Sequence, residues 1–239
     1  MVTTENPMAV ISGASSGIGL AITRTLLDAG YAVTGLARSF AKTGLSHPKF
    51  KGIEIDLAKL DALPAALAQI AENLDSPITA LINNAGIGKM GYLEQLSIRD
   101  MRLVMDLNFM SHAIVTKTFL PGMKQRQRGD VIFLGSEAAL QGARQGSIYC
   151  ASKFALRGFA QSLREECSKS QVRVTMINPG AVRTAFFQDL SFEPGAAADN
   201  AIDPLDIATA VLTVLQARPG TVFDEINLTP LQHVWQKKP

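Results

Sequence analysis

The chain is poor in the residues that staple small secreted domains or build metal centres. Among 239 residues there are two cysteines, Cys150 and Cys167, and three histidines. Both cysteines fall in one stretch of helical period, seventeen positions apart. That is about 25 Å along a helix axis, too far for a mutual disulfide, so a reducing, cytoplasmic setting is the default expectation. Scattered histidines and two such cysteines form no ligand set, and no metal is expected. Long apolar runs are also missing: nothing approaches the ~18 consecutive residues a membrane span needs. The opening "MVTTENP" has neither the basic region nor the apolar core of a secretory signal. Charge of one sign is lacking too. With 23 Lys and Arg against 21 Asp and Glu, the net +2 leaves no basic stripe, and nucleic acid is not the expected partner. No Pro-, Gly- or Ser-rich linker and no internal repeat divides the chain, so residues 1–239 read as a single domain.

What is present is alternation. "MAVISG", "YAVTGLA", "GIEIDL", "ITALINNAG", "DVIFLGS", "VRVTMINPG" and "VFDEINL" read as seven strands, most of them unbroken in apolar character. Strands of that kind are covered on both faces, as in a parallel sheet wrapped by helices. Between them "GIGLAITRTLLDAG", "LDALPAALAQIAENL", residues 98–125 and residues 147–170 have apolar residues at helical spacing. The fold class expected is α/β, a single-domain, Rossmann-type doubly wound sheet of about seven parallel strands with helices on both faces. One irregular stretch stands apart, "TAFFQDLSFEPGAAADNAIDP", residues 184–204. Connections that long are functional lids or disordered, and its Phe186, Phe187 and Phe192 favour a lid closing on something apolar.

In such a sheet a ligand binds beyond the carboxyl ends of the strands. The first strand runs straight into "SGASSGIG", with Gly13, Gly17 and Gly19. Glycines here allow a tight turn and let backbone approach a pyrophosphate, while the following helix start offers free N–H groups and a favourable dipole. A generic glycine turn is the plainer alternative, since the spacing differs from G-x-G-x-x-G. At the end of the second strand, where NAD-binding folds place an acid for the ribose, the sequence has Ala37 and then Arg38. Arginine can grip a 2′-phosphate bidentately, so NADP(H) is favoured over NAD(H); otherwise Arg38 is a solvated surface residue.

Tyr149 and Lys153 stand four positions apart in a stretch of helical period and so share one face. An ammonium about 4 Å from a phenol, at an effective dielectric near 20, contributes about 4 kcal/mol, enough to bring the phenol from about 10 to about 7. An acid/base catalyst is most effective there.

Together these features resemble the classical short-chain dehydrogenase/reductase family, across essentially the whole chain. "SGASSGIG" is similar to the family's T-G-x-x-x-G-I-G, with Ser12 keeping the hydroxyl of the threonine it replaces. "NNAG" at 83–86, Asn108 in "LNFM", Ser136 in "LGSEAA", Tyr149 and Lys153 in "YCASK" and "PGAVRT" at 179–184 occur in the family's order. The resemblance implies an oxidoreductase interconverting a carbonyl and a secondary alcohol with a nicotinamide cofactor. It makes Tyr149 the general acid/base, Ser136 the group that orients the substrate oxygen, and Asn108 the residue that bends its helix and holds a water linking Lys153 to solvent. It also places cofactor contacts at Gly13, Ser15, Ser16, Gly17, Ile18, Gly19, Arg38, Asp56, Leu57, Asn84, Ala85, Gly86, Tyr149, Lys153, Pro179, Gly180, Val182 and Thr184. As bare sequence features, Ser136 and Asp56 equally suit cap or turn positions, and Asn108 a solvated helix position. The family further implies a homodimer or homotetramer packed through the segments 98–125 and 147–170, acting on a small molecule.

Other readings are open. A non-catalytic NADP(H)-binding sensor would not need the serine, tyrosine and lysine together. A 3-ketoacyl carrier-protein reductase typically ends in a glycine-rich tail, unlike "EINLTPLQHVWQKKP". Keto acid substrates would need a cation, for which Arg144 and Arg183 are candidates. His112 reads as structural, and His233 and Trp235 as residues closing the pocket or a subunit contact.

Overall fold

A computed structural model describes residues 7–238; the reading of "MVTTENP" as no secretory signal falls almost wholly outside the described residues. In chain order the elements are β1 (Met8–Ser12), α1 (Gly17–Asp28), β2 (Ala32–Ala37), β3 (Phe50–Glu54), α2 (Leu63–Glu72), β4 (Ala80–Asn83), α3 (Ile98–Met105), α4 (Ser111–Gln125), β5 (Gly129–Leu134), α5 (Ser147–Cys167), β6 (Val172–Pro179), β7 (Phe192–Pro194), α6 (Pro204–Gln216), β8 (Glu225–Leu228) and β9 (Trp235–Lys237). Seven strands form one sheet in the order β3-β2-β1-β4-β5-β6-β8, with every neighbouring pair parallel. These are the seven strands expected, in a doubly wound Rossmann-type arrangement.

The period of two in β1 explains the two cores. Val10 points to the layer that α2, α4 and α5 cover with Leu67, Phe119 and Leu156. Ala9 and Ile11 point to the opposite layer, covered by α1 and α6 with Ile22, Leu26 and Val211. Because strand order reverses between β1 and β4, the two crossovers leave in opposite directions and a crevice opens at the strands' carboxyl ends.

Three differences from the sequence reading have clear causes. The third strand begins at Phe50 and ends at Glu54, before "IDL", because the Asp56 carboxylate accepts from the Ala58 N–H (3.1 Å) and turns the chain. The edge strands β3 and β8 are only partly buried, since each has one neighbour. The segment 184–204 is not wholly irregular: β7 pairs antiparallel with β9, Phe192 opposite Lys237 and Pro194 opposite Trp235.

Candidate active site

The site begins where β1 turns. Gly13 has φ +69°, and a Cβ there would lie 2.9 Å from the Ala85 Cα and the Asn84 amide nitrogen. A Cβ on Gly19 would run into the Gly13 carbonyl oxygen, so both glycines are required by close approach. The Ser12 hydroxyl holds the facing turn, accepting from the N–H groups of Asn84 (2.9 Å) and Ala85 (3.1 Å). Asn84 Nδ2 donates in return to the carbonyls of Ser12 (3.0 Å) and Gly13 (3.2 Å). Gly17, with φ +49°, starts α1 against Thr184, whose Cγ2 would be 3.1 Å from a Cβ. The N-cap Ser16 makes no side-chain cap bond, so the first-turn N–H groups are left for a bound anion. Arg38 is exposed at the rim of the same cleft and makes no hydrogen bond or ion pair among the described residues. A glycine cradle, an uncapped helix start and an unpaired guanidinium fit a phosphorylated dinucleotide.

The second half of the site comes from β5, α5 and the bend between α3 and α4. Ser136, just past β5, caps a short 3-10 turn by accepting from the Ala138 N–H (3.1 Å), and its hydroxyl lies near enough to the Tyr149 phenol to favour the phenolate. Tyr149 and Lys153 lie one turn apart on α5, both buried, with the ammonium 5.9 Å from the centre of the phenol ring. Lys153 Nζ donates to the Leu134 carbonyl (3.0 Å). Residues Asp106–Met110 form a π turn joining α3 to α4. Asn108 inside it is fully buried: its Oδ1 accepts from the Ile87 N–H (2.9 Å), and its Nδ2 donates to the Ile87 carbonyl (3.0 Å) and the Ser152 hydroxyl (3.2 Å). It is therefore not the solvated helix residue its type would suggest.

The expectation that Lys153 brings the phenol to about 7 is overturned. Tyr149 is pushed up to about 12, mainly because burial strips water from the phenolate; the Ser136 hydroxyl opposes this and the charges of Cys150 and Glu137 add to it. Burial also lowers Lys153 to about 8. Its ammonium stands 5.9 Å from the ring centre and donates to the Leu134 carbonyl. In this environment Tyr149 holds its proton across the physiological range.

His112 is neutral and fully buried, its pKa lowered to about 3 by burial and then by Lys153. Its Nε2 lies 2.6 Å from the Ala85 carbonyl oxygen, which fixes the proton on that nitrogen and pins the "NNAG" turn from behind.

A cleft of about 1440 Å³ connects the two halves. Of the cofactor and catalytic residues singled out in the sequence, all but Gly19 and Asn108 line it; those two stand behind its wall. Phe186 covers the catalytic end, its ring centroid 5.9 Å from that of Tyr149, and rests on Gly88, where a Cβ would be 2.6 Å from its ring. Phe187 and Phe192 pack on Trp235 at 5.8 and 5.3 Å between ring centroids. The two candidate cations are engaged otherwise. Arg144 donates to the Tyr92 hydroxyl and stacks on its ring. Arg183 lies off the cleft and donates to the carbonyls of Gly195 (3.1 Å) and Ala197 (2.8 Å). Sequence reasoning missed Glu137, which lines the cleft beside Ser136, and the pairing of β9 with β7, while His233 and Trp235 line the cleft, as the first of their two readings had it. Among the described residues no group of His, Cys, Asp or Glu is arranged to hold a metal ion, and no helix is long and apolar enough to cross a membrane.

The sequence pattern of the family described as "short chain dehydrogenase" matches residues 7–194. The chain is 35% identical to human retinol dehydrogenase 8 over 184 residues, 74% of this chain and 59% of that protein, so it spans well under two thirds of this relative's length. It is 30% identical to farnesol dehydrogenase of Aedes aegypti over 238 residues, 94% of this chain and 96% of the relative. Among solved structures, an alcohol dehydrogenase from the archaeon Thermococcus sibiricus, complexed with 5-hydroxy-NADP, superposes with a TM-score of 0.83 at 26% identity, covering 95% of this chain and 98% of that one. With the sheet order, the glycine turn and the family pattern all agreeing over most of its length, the chain belongs to the short chain dehydrogenase family.

Proposed function

We propose that the protein is an NADP(H)-dependent oxidoreductase that interconverts a ketone or keto acid and a secondary alcohol, with Tyr149 as general acid/base. The observation that carries this reading is the Tyr149 phenol, buried in the cleft that Ser136 also lines and one helical turn from the buried Lys153. The cofactor, when bound, supplies or takes the hydride. Gly13, Ser15, Ser16, Gly17 and Ile18 would hold its phosphates, with Gly19 keeping the turn closed; Arg38 would grip a 2′-phosphate; Asp56 and Leu57 would flank the adenine. Asn84, Ala85 and Gly86 would line its length, and Pro179, Gly180, Val182 and Thr184 its nicotinamide end.

The chain's own residues do the rest. Ser136 orients the carbonyl oxygen and stabilises the charge that develops on it. Tyr149 gives that oxygen a proton, and a phenol held at about 12 is a group that carries one throughout the neutral range. Lys153 holds the ribose hydroxyls and, with Asn108, resupplies the proton. The 184–204 segment acts as the substrate lid of a single catalytic domain, closing Phe186 over the reacting carbon and excluding water. The reading carries with it a cytoplasmic homodimer or homotetramer packed through the segments 98–125 and 147–170, on which Ile98, Met110 and Phe154 are exposed apolar residues.

The test is oxidation of NADPH and NADH by the purified protein against a panel of ketones, keto acids, keto esters and sugars. NADPH-dependent turnover that falls by ~100-fold or more in Tyr149→Phe is the expected result. Turnover unaffected by that substitution overturns the assignment of the acid/base.

A further inference from the structure

One side chain of the cleft has no part in this mechanism and bears on which carbonyl compound enters. Glu137 follows Ser136 and opens the short turn Glu137–Ala139 that the Ser136 hydroxyl caps. Both residues line the cleft. The Glu137 Oε2 lies 3.0 Å from the point a Cβ would occupy on Gly180, so the carboxylate hangs over the corner where β6 ends, and its charge reaches the Tyr149 phenol. It is half-buried, and among the described residues it makes no side-chain hydrogen bond or ion pair. Arg144, Arg183 and Lys153 are held elsewhere: Arg144 on Tyr92, Arg183 on the Gly195 and Ala197 carbonyls, Lys153 on the Leu134 carbonyl.

A half-buried carboxylate without a partner is an acceptor that a ligand's donor can satisfy, through a charge-assisted hydrogen bond. The same charge repels a ligand carboxylate. Because Glu137 follows Ser136, lines the same cleft and its charge reaches Tyr149, the donor it accepts belongs close to the reacting carbonyl, with Phe186 facing the apolar remainder.

We propose that Glu137 is a specificity-determining residue that accepts a hydrogen bond from a hydroxyl adjacent to the reacting carbonyl, so that α-hydroxy ketones with an apolar side are preferred and α-keto acids excluded. This rests on the carbonyl–alcohol reading above. Reduction then gives a vicinal diol, the carbonyl carbon gaining hydride from NADPH and its oxygen a proton from Tyr149; the neighbouring hydroxyl is only held.

Three probes with one phenyl group test this: acetophenone, 2-hydroxyacetophenone and benzoylformate. Binding is measured by titration calorimetry in the presence of NADP, and kcat/KM with NADPH is measured alongside. The wild type is expected to bind 2-hydroxyacetophenone about tenfold tighter than acetophenone, and benzoylformate about tenfold more weakly. In Glu137→Gln the hydroxyl preference falls to within about threefold and benzoylformate approaches acetophenone; in Glu137→Leu both distinctions vanish. Thermal unfolding and NADPH binding check that both variants are folded. A wild type that does not rank the probes, or rankings that survive both substitutions, overturns the role of Glu137. Tyr149-dependent turnover with no effect of residue 137 sinks this assignment alone. Ranked binding lost in the variants, with no turnover on any ketone, upholds the Glu137 subsite and sinks the carbonyl–alcohol reading.

Discussion

Lys153 is the residue whose charge state the cleft leaves most finely balanced. Burial holds it at about 8 while Tyr149 stays at about 12, so the phenol contributes no break between pH 6 and 10 and the lysine does. In the proposed mechanism the protonated ammonium is the form that supports proton delivery; it is present below 8 and lost as pH rises. Reduction is therefore expected to be level up to about pH 7 and to fall above 8, and Lys153→Arg should move the break beyond pH 10 at whatever rate remains, since a guanidinium does not titrate there. A pH profile of kcat/KM for both proteins checks this, and an unmoved break would assign it to another group. At the cofactor end, Arg38→Ala is expected to raise the KM for NADPH by about 10- to 100-fold and that for NADH by less than threefold, because only NADPH has a 2′-phosphate for the guanidinium to hold.

The elements are tied by ion pairs that the pattern of apolar residues does not announce. Asp130 on β5 faces Arg173 on β6 in bidentate fashion, at 2.6 and 3.0 Å, and Arg173 also donates to the Ala217 carbonyl at the end of α6 (3.0 Å). Burial lifts the Asp130 carboxyl above its ordinary range in spite of this partner, so the pair gains less than its geometry suggests. Removing one member costs more than removing both. Asp130→Ala should lower unfolding stability by about 3 kcal/mol, and the double variant with Arg173→Leu should regain part of the loss; urea unfolding of the three proteins measures it. The pattern did announce β1, β2, β4, β5 and β6, which are buried on both faces and hence continuous in Val, Ile and Leu. It placed β3 two residues late at its start and three at its end, because an edge strand needs no such continuity. It said nothing of β7 and β9: three residues each, with a proline at the end of β7, have no period to read, and their pairing joins positions more than forty apart. In the candidate site the glycines, Ser136, Tyr149 and Lys153 were legible as residue types at fixed spacing. The state of Tyr149 was not, because its desolvation comes from tertiary packing, Phe186 included, and Glu137 looks in sequence like any glutamate at the start of a helical turn.

At the scale of the molecule, a rigid parallel sheet carries a mouth made of two short segments. The segment proposed as a lid reaches from Thr184 through β7, and the chain's last described strand returns to pair with it. Lys238 adds its ammonium to the carbonyls of Phe187 and Gln188, and Trp235 closes the aromatic cluster. Removing residues 234–238 takes away these bonds and one strand of the ribbon, but nothing from the sheet. The expected outcome is a KM for ketone substrates raised by about tenfold or more, with NADPH affinity and thermal unfolding little changed; a truncated protein with an unchanged KM would mean that the ribbon does not govern entry. Because the 184–204 segment and the tail hold each other through the β7–β9 pairing and the Lys238 bonds, they form a cassette. Residues 184–204 and 231–238 exchanged together from one relative to another would transplant substrate preference, whereas either one grafted alone would meet a partner strand of the wrong sequence.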